Sequence, residues 1–182
     1  MCLMMAIASF GQGKGHLTFK GVAIDGDLNS FVQKLQNKGL ALQSRDGKRA
    51  YLKGDFAGYK DCTIYVYTLI GFDLVNNITV RFPVREDWTG LMSDYNNLYD
   101  MLKTKYGKPV EEHKEFKGFS DSETIKFFRV RKGESNYNAC FKTANGGIVL
   151  ALDHNEMECF VSLKYLDKEN SQKAKQNAMS DL

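Results

Sequence analysis

"DCTIYVYTL" (residues 61–69) alternates apolar and polar side chains with the two-residue period of a β-strand. Cys62, Ile64 and Val66 share one face, and Thr63, Tyr65 and Tyr67 take the other. The neighbouring stretches repeat the pattern. In "NNITVRF" (76–82), Ile78, Val80 and Phe82 pair with the apolar set and leave Asn77, Thr79 and Arg81 opposite. In "RAYLKGDF" (49–56), Ala50, Leu52 and Phe56 go inward while Arg49, Tyr51 and Lys53 go outward. "SRDGKR" (44–49) and "FAGYKD" (56–61) separate these runs, and Asp46-Gly47 is a hairpin signal. Strands joined by turns this short must be antiparallel, since parallel pairs need long crossovers.

Upstream, "AIDGDLNSFVQKLQNKG" (23–39) changes period. Leu28, Phe31, Val32 and Leu35 stand at i, i+3, i+4 and i+7 and form one helical face. Asp27 is placed to cap the free amides of the first turn, and Gly39 closes the helix. Asp25, Asp27 and Asn29 alternate as they would in a calcium loop. Such a loop needs Gly at its sixth position and Glu at its twelfth, where this chain has Ser30 and Gln36. The stretch therefore reads as the start of a helix.

Downstream, Trp88, Leu91, Met92, Tyr95, Leu98, Tyr99 and Leu102 make a wide apolar face on a second helix, opened by Asp87 and ended at Gly107 and Pro109. Further strands are expected at 111–117, 123–131, 136–143, 147–153 and 158–166, with a short one at 40–44. The order helix then strands, twice over, predicts an α+β fold. Two successive helix-then-antiparallel-strand units, 16–83 and 84–166, have their helices packed on one face of the sheet. Residues 167–182 are expected to be a polar tail or frayed helix.

The chain has 182 residues, 43% hydrophobic and 26% charged, enough to bury a core without metal or disulfide. A net charge of +3 supplies no basic stripe for nucleic acid. "MCLMMAIASFGQG" (1–13) is uncharged and leads from an apolar run into small residues, with Ser9 and Gly11 spaced as a signal-peptidase site. Residues 1–11 thus read as a signal-peptide remnant, too short to be a transmembrane segment, and the mature chain as exported to the periplasm or outer envelope. Export leaves Cys62, Cys140 and Cys159, an odd number. Strand parity points Cys140 away from Cys159, which argues against a bridge between them.

Catalytic patterns are absent: no GxSxG, HExxH, P-loop or GxGxxG occurs. His16, His113 and His154 stand in distant polar segments, and each reads as a lone exposed side chain. Asp55, Asp61 and Asp153 fall at strand ends, where Asp serves turns. "HNE" (154–156) after Asp153 reads as a cation site or, equally well, a polar hairpin tip. No cofactor and no metal are expected. The outward set Arg49, Tyr51, Lys53, Tyr65, Tyr67 and Arg81 is the candidate binding face, because Tyr and Arg bury area while keeping a polar handle. A solvated sheet face is the plain alternative.

The leader followed by "FKGVAIDGDLNSFVQKLQNKGL", "GDFAGYKDCTIYVY", "ITVRFP" and "YNNLYDMLKTKYGKP" resembles uncharacterised exported proteins of Gram-negative anaerobes. The helix-then-strands order is also similar to β-lactamase inhibitor proteins, in which two such units present a concave sheet face to a partner. That likeness implies a binding face, without the pair of disulfides found there. The expectation is an exported, non-catalytic module binding a protein or envelope component. Two alternatives stand beside it: a small-ligand-binding protein or hydrolase with its site between the halves, and an immunity-type inhibitor of a secreted toxin.

Overall fold

The computed structural model describes residues 15–180 apart from 70, 119 and 157. The leader expected at 1–11 lies outside them. A small ribbon comes first, β1 (Thr18–Phe19) and β2 (Val22–Ala23), followed by helix α1 (Leu28–Gln36). Then come β3 (Ala41–Arg45), β4 (Arg49–Phe56), β5 (Tyr59–Thr68) and β6 (Val75–Arg81). Helix α2 (Trp88–Tyr106) leads to β7 (Glu111–Phe116) and helix α3 (Glu123–Arg131). The chain continues through β8 (Ser135–Thr143), β9 (Gly146–Asn155) and β10 (Glu158–Asp167) into helix α4 (Lys168–Ser180). The class is α+β.

Strands β3 to β10 form one eight-stranded sheet in the order β3-β4-β5-β6-β10-β9-β8-β7, and all its neighbours are antiparallel. The first four strands and the last four each run from an outer edge to the centre, where Leu163 lies opposite Val80 and Tyr165 opposite Ile78. Local chemistry explains the turns. Ala57 and Gly58 both have positive φ, the twist a two-residue hairpin needs. Asp46 accepts from the amides of Lys48 and Arg49, closing the β3–β4 connection. Gly146 has no tolerable substitute, since a Cβ there would lie 2.1 Å from the Leu166 carbonyl oxygen.

The helix starts follow their caps. The Asp27 carboxylate accepts from Ser30 N, and Asp73 reaches across to accept from Leu28 N at 2.9 Å. Leu28, Phe31, Val32 and Leu35 are buried and face β3, β4 and β5. Asp87 accepts from Gly90 N, and α2 buries Leu91, Tyr95, Leu98 and Leu102 toward β8, β9 and β10. Each such aliphatic or aromatic side chain contributes about 1.5–3 kcal/mol by leaving water. The Arg85 guanidinium grips Asp94 through Nε (2.6 Å) and Nη2 (3.1 Å), while its backbone amide bonds Cys159 O, tying α2 to β10.

Two segments differ from the sequence expectation. Residues 123–131 are helix α3, not a strand. "ETIKFFRVR" is rich in aromatic and β-branched types, but Val130 is buried with Phe127 packed one turn before it. Ser122 sits extended at the N-cap, Glu123 lies at the positive end, Arg129 and Arg131 occupy the last turn, and Gly133 follows at φ +66°. The polar stretch after residue 167 is helix α4, and its first turn is fixed rather than frayed. Asp167 and Asn170 are fully buried. Asp167 accepts from Leu17 N (2.7 Å) and Asn170 N (2.9 Å); the Asn170 amide donates to Ile24 O (3.0 Å) and Val75 O (2.8 Å).

Candidate functional site

Pairing registers decide which side chains share the uncovered face. Arg49 lies opposite Tyr67, Tyr51 opposite Tyr65 and Lys53 opposite Thr63 across β4–β5. Across β5–β6, Thr63 meets Arg81, Tyr65 meets Thr79 and Tyr67 meets Asn77. Arg49, Tyr51, Lys53, Tyr65, Tyr67 and Arg81 therefore lie on one side of the sheet. The alternate residues Ala50, Leu52, Ile64, Val66, Ile78 and Val80 are buried on the other.

The tyrosines form a continuous row. Tyr51 and Tyr65 stack with centroids 5.4 Å apart and planes at 17°, and Tyr65 and Tyr67 follow at 6.4 Å and 20°. None of the three hydroxyls has a hydrogen-bond partner among the described residues. Burial pushes the Tyr67 hydroxyl above its ordinary range; Tyr65 adds to the rise and Arg49 works against it. Arg49 Nε bonds Asp46 Oδ2 at 2.8 Å, leaving its terminal nitrogens toward solvent. The amides of Lys48 and the Arg49 side chain together hold the Asp46 carboxyl below the usual carboxylate range. A cleft of about 540 Å³ runs along this row, walled by the tyrosines, Arg49, and Ser44, Arg45 and Asp46 of the β3–β4 hairpin.

Arg81 belongs to a different cluster. Its guanidinium pairs with Glu158 and lies 4.2 Å from the Phe160 ring centre, so it shields an apolar side chain. Lys53 stands two residues along β4 from Tyr51, on the same face but outside the cleft wall. The sequence places Ser44 at the end of a short strand and Arg45 and Asp46 in the turn after it, with no part in the candidate face. The pairing of β3 with β4, which sets Ser44 opposite Tyr51 and Arg45 opposite Ala50, brings them to the cleft.

The candidate chemical groups are spread out. Asp55 pairs with Lys60 at 2.8 Å, Asp61 has φ +53°, and Asp153 accepts from the amide of His154. His113 pairs with Glu111 at 2.7 Å. Among the described residues no group of three or more His, Cys, Asp or Glu side chains is placed to hold a metal ion. Cys62, Cys140 and Cys159 are free thiols, and burial pushes Cys62 up to about 11. His16 is not the lone exposed side chain expected. It is 16% exposed, with Nδ1 3.2 Å from Asp167 and Nε2 3.4 Å from Asp25 and 3.6 Å from Glu169. The alternating Asp25, Asp27 and Asn29 are each used structurally: Asp25 accepts from Asn170, Asp27 caps α1, and Asn29 accepts from Arg45.

No protein-family model, curated protein or solved structure matches the chain. Among the described residues no helix is long and apolar enough to cross a membrane.

Proposed function

We propose that this chain is an exported, non-catalytic module that binds a protein or envelope component through the open face of β4 and β5. The observation that carries the reading is the row Tyr51–Tyr65–Tyr67 beside Arg49, stacked, half-buried and with its hydroxyls unpartnered among the described residues. Aromatic side chains held rigid by stacking lose little rotamer entropy on binding and offer both apolar area and a hydrogen-bonding tip. In this reading two helix-plus-sheet units, 16–83 and 84–166, carry their helices on the far side and leave the sheet open, an arrangement similar to that of β-lactamase inhibitor proteins. The uncharged run at 1–11 supports export.

The test is capture from envelope extract by the wild-type chain and by the double variant Tyr65→Ala/Tyr67→Ala, with circular dichroism to show both are folded. The expected result is loss of the captured partner in the variant. An unchanged set of partners would overturn the assignment of this face.

A further inference from the structure

The sheet ends in two exposed rims that are guarded differently. β7 reads Glu111, Glu112, His113, Lys114, Glu115 and Phe116 and follows Pro109, so charge and proline oppose pairing with another strand. β3 reads Ala41, Leu42, Gln43, Ser44 and Arg45, and its single charged side chain is turned back onto Asn29 of α1. Among the described residues its other guards are a bulge between Leu42 and Ser44 and the Gln43 side-chain amide, which donates to Ala41 O at 3.2 Å.

Register makes this rim more than a bare edge. Ala41 lies opposite Lys53 and Ser44 opposite Tyr51, so the two small residues occupy the open face. Ser44 leaves a notch between the rim and the wall of tyrosines, which is the cleft of about 540 Å³. Strands sit about 4.8 Å apart, so one added beside β3 lies about 10 Å from Tyr51, within reach of a long side chain crossing Ser44. Charge there is mostly positive: Lys48 and Arg49 flank Asp46, whose carboxylate is already taken by Arg49 and two backbone amides, and Lys53 stands further along β4 on the same face. The occupant that fits is an extended peptide with carboxylates on one face.

Resting on the binding-face reading above, we propose that an acidic peptide in extended conformation adds along β3 as a further strand. Its backbone pairs with the rim, and a carboxylate enters the notch to meet the Arg49 guanidinium and the tyrosine hydroxyls. Such pairing gives affinity through the main chain and selectivity through alternate side chains.

The probe is the peptide Thr-Glu-Val-Glu-Val-Glu-Thr-amide carrying fluorescein on its N-terminal amine, titrated with the full chain and read by anisotropy. Expected are saturable binding, no binding of the peptide with Lys in place of Glu, and a loss of about tenfold in Arg49→Ala. Two further peptides carry N-methyl groups at odd or at even positions. One set should bind at least ~10-fold more weakly than the other, because only alternate amides face the rim. Glu111→Ala on the opposite rim should change nothing. Equal binding of the two N-methylated peptides, or no binding of the Glu peptide, would overturn strand addition. A peptide that fails to displace the partner captured through Tyr65 and Tyr67 would sink this inference while leaving the face intact. Capture insensitive to Tyr65 and Tyr67 would remove the face itself.

Discussion

The two halves of the open face are built on the same strand geometry and treat their polar groups in opposite ways. On β7 and β8 the polar side chains satisfy one another: Asn138 donates to Asn136 (2.6 Å), Asn136 to Glu115 (3.3 Å), and His113 pairs with Glu111 (2.7 Å). On β4 and β5 the tyrosines stack, yet their hydroxyls have no hydrogen-bond partner among the described residues. A closed network gains little from meeting another molecule, because its bonds would have to be broken first. The open row loses only water. The difference is what favours β4 and β5 over β7 and β8 as the proposed binding face, on a sheet whose two halves otherwise share one plan.

The comparison breaks most visibly at the tyrosines. Tyr65→Ala/Tyr67→Ala should lower affinity for the captured partner by about 100-fold, near 2.7 kcal/mol, measured by calorimetry. The matched variant Asn136→Ala/Asn138→Ala should shift it less than about threefold; an equal loss would erase the distinction between the halves. Next in size is a change to the scaffold alone. Asp94→Ala leaves Arg85 without its bidentate partner, and should cost about 2 kcal/mol in denaturant unfolding. Partial exposure of Arg85 keeps this below the roughly 3–5 kcal/mol of a fully buried pair. Partner affinity should stay unchanged, which separates folding from binding. In the other direction, Tyr95→Phe should stabilise by about 1 kcal/mol, because the Tyr95 hydroxyl is buried without a partner among the described residues.

The smallest effect is a titration. Burial raises the Tyr67 hydroxyl above its ordinary 10.0, so its neutral form is favoured in the fold. Its contribution to stability is complete below pH 10.0 and is lost as pH rises through the folded value. Tyr59, Tyr95, Tyr99, Tyr137 and Tyr165 are raised as well, so the Tyr67 step is isolated as the difference in tyrosinate absorbance between the wild-type chain and Tyr67→Phe. That step should come later still in Arg49→Ala, since that guanidinium lowers it. An earlier titration in the variant would contradict the placement of Arg49.

What could be read from sequence was what repeats locally. Leu28, Phe31, Val32 and Leu35 declared a helix, Asp27 and Asp87 declared its kind of start, and Tyr65 and Tyr67 declared their face by parity alone. Residues 123–131 escaped because Ile125, Phe127, Phe128 and Val130 favour strands intrinsically; the deciding signals, Ser122 before and Gly133 after, lay at the ends. His16, Asp167 and Asn170 escaped for another reason. Their bonds join positions about as far apart as the described chain allows, and no local period announces such a contact. The cleft was half legible: alternation placed the tyrosines, while its wall at Ser44, Arg45 and Asp46 depended on the pairing of β3.

The pairing of β6 with β10 has a consequence in time. A chain made or delivered from its N-terminus presents β3 to β6 first, with one side of β6 bare until Glu158–Asp167 arrives. The cap that Asp167 gives to Leu17, and the amide that Asn170 lends to Ile24 and Val75, arrive with that same last strand. The early half therefore lacks these bonds until the late half closes it. Under the export proposed above, such a delay keeps the chain threadable until its final strand is through.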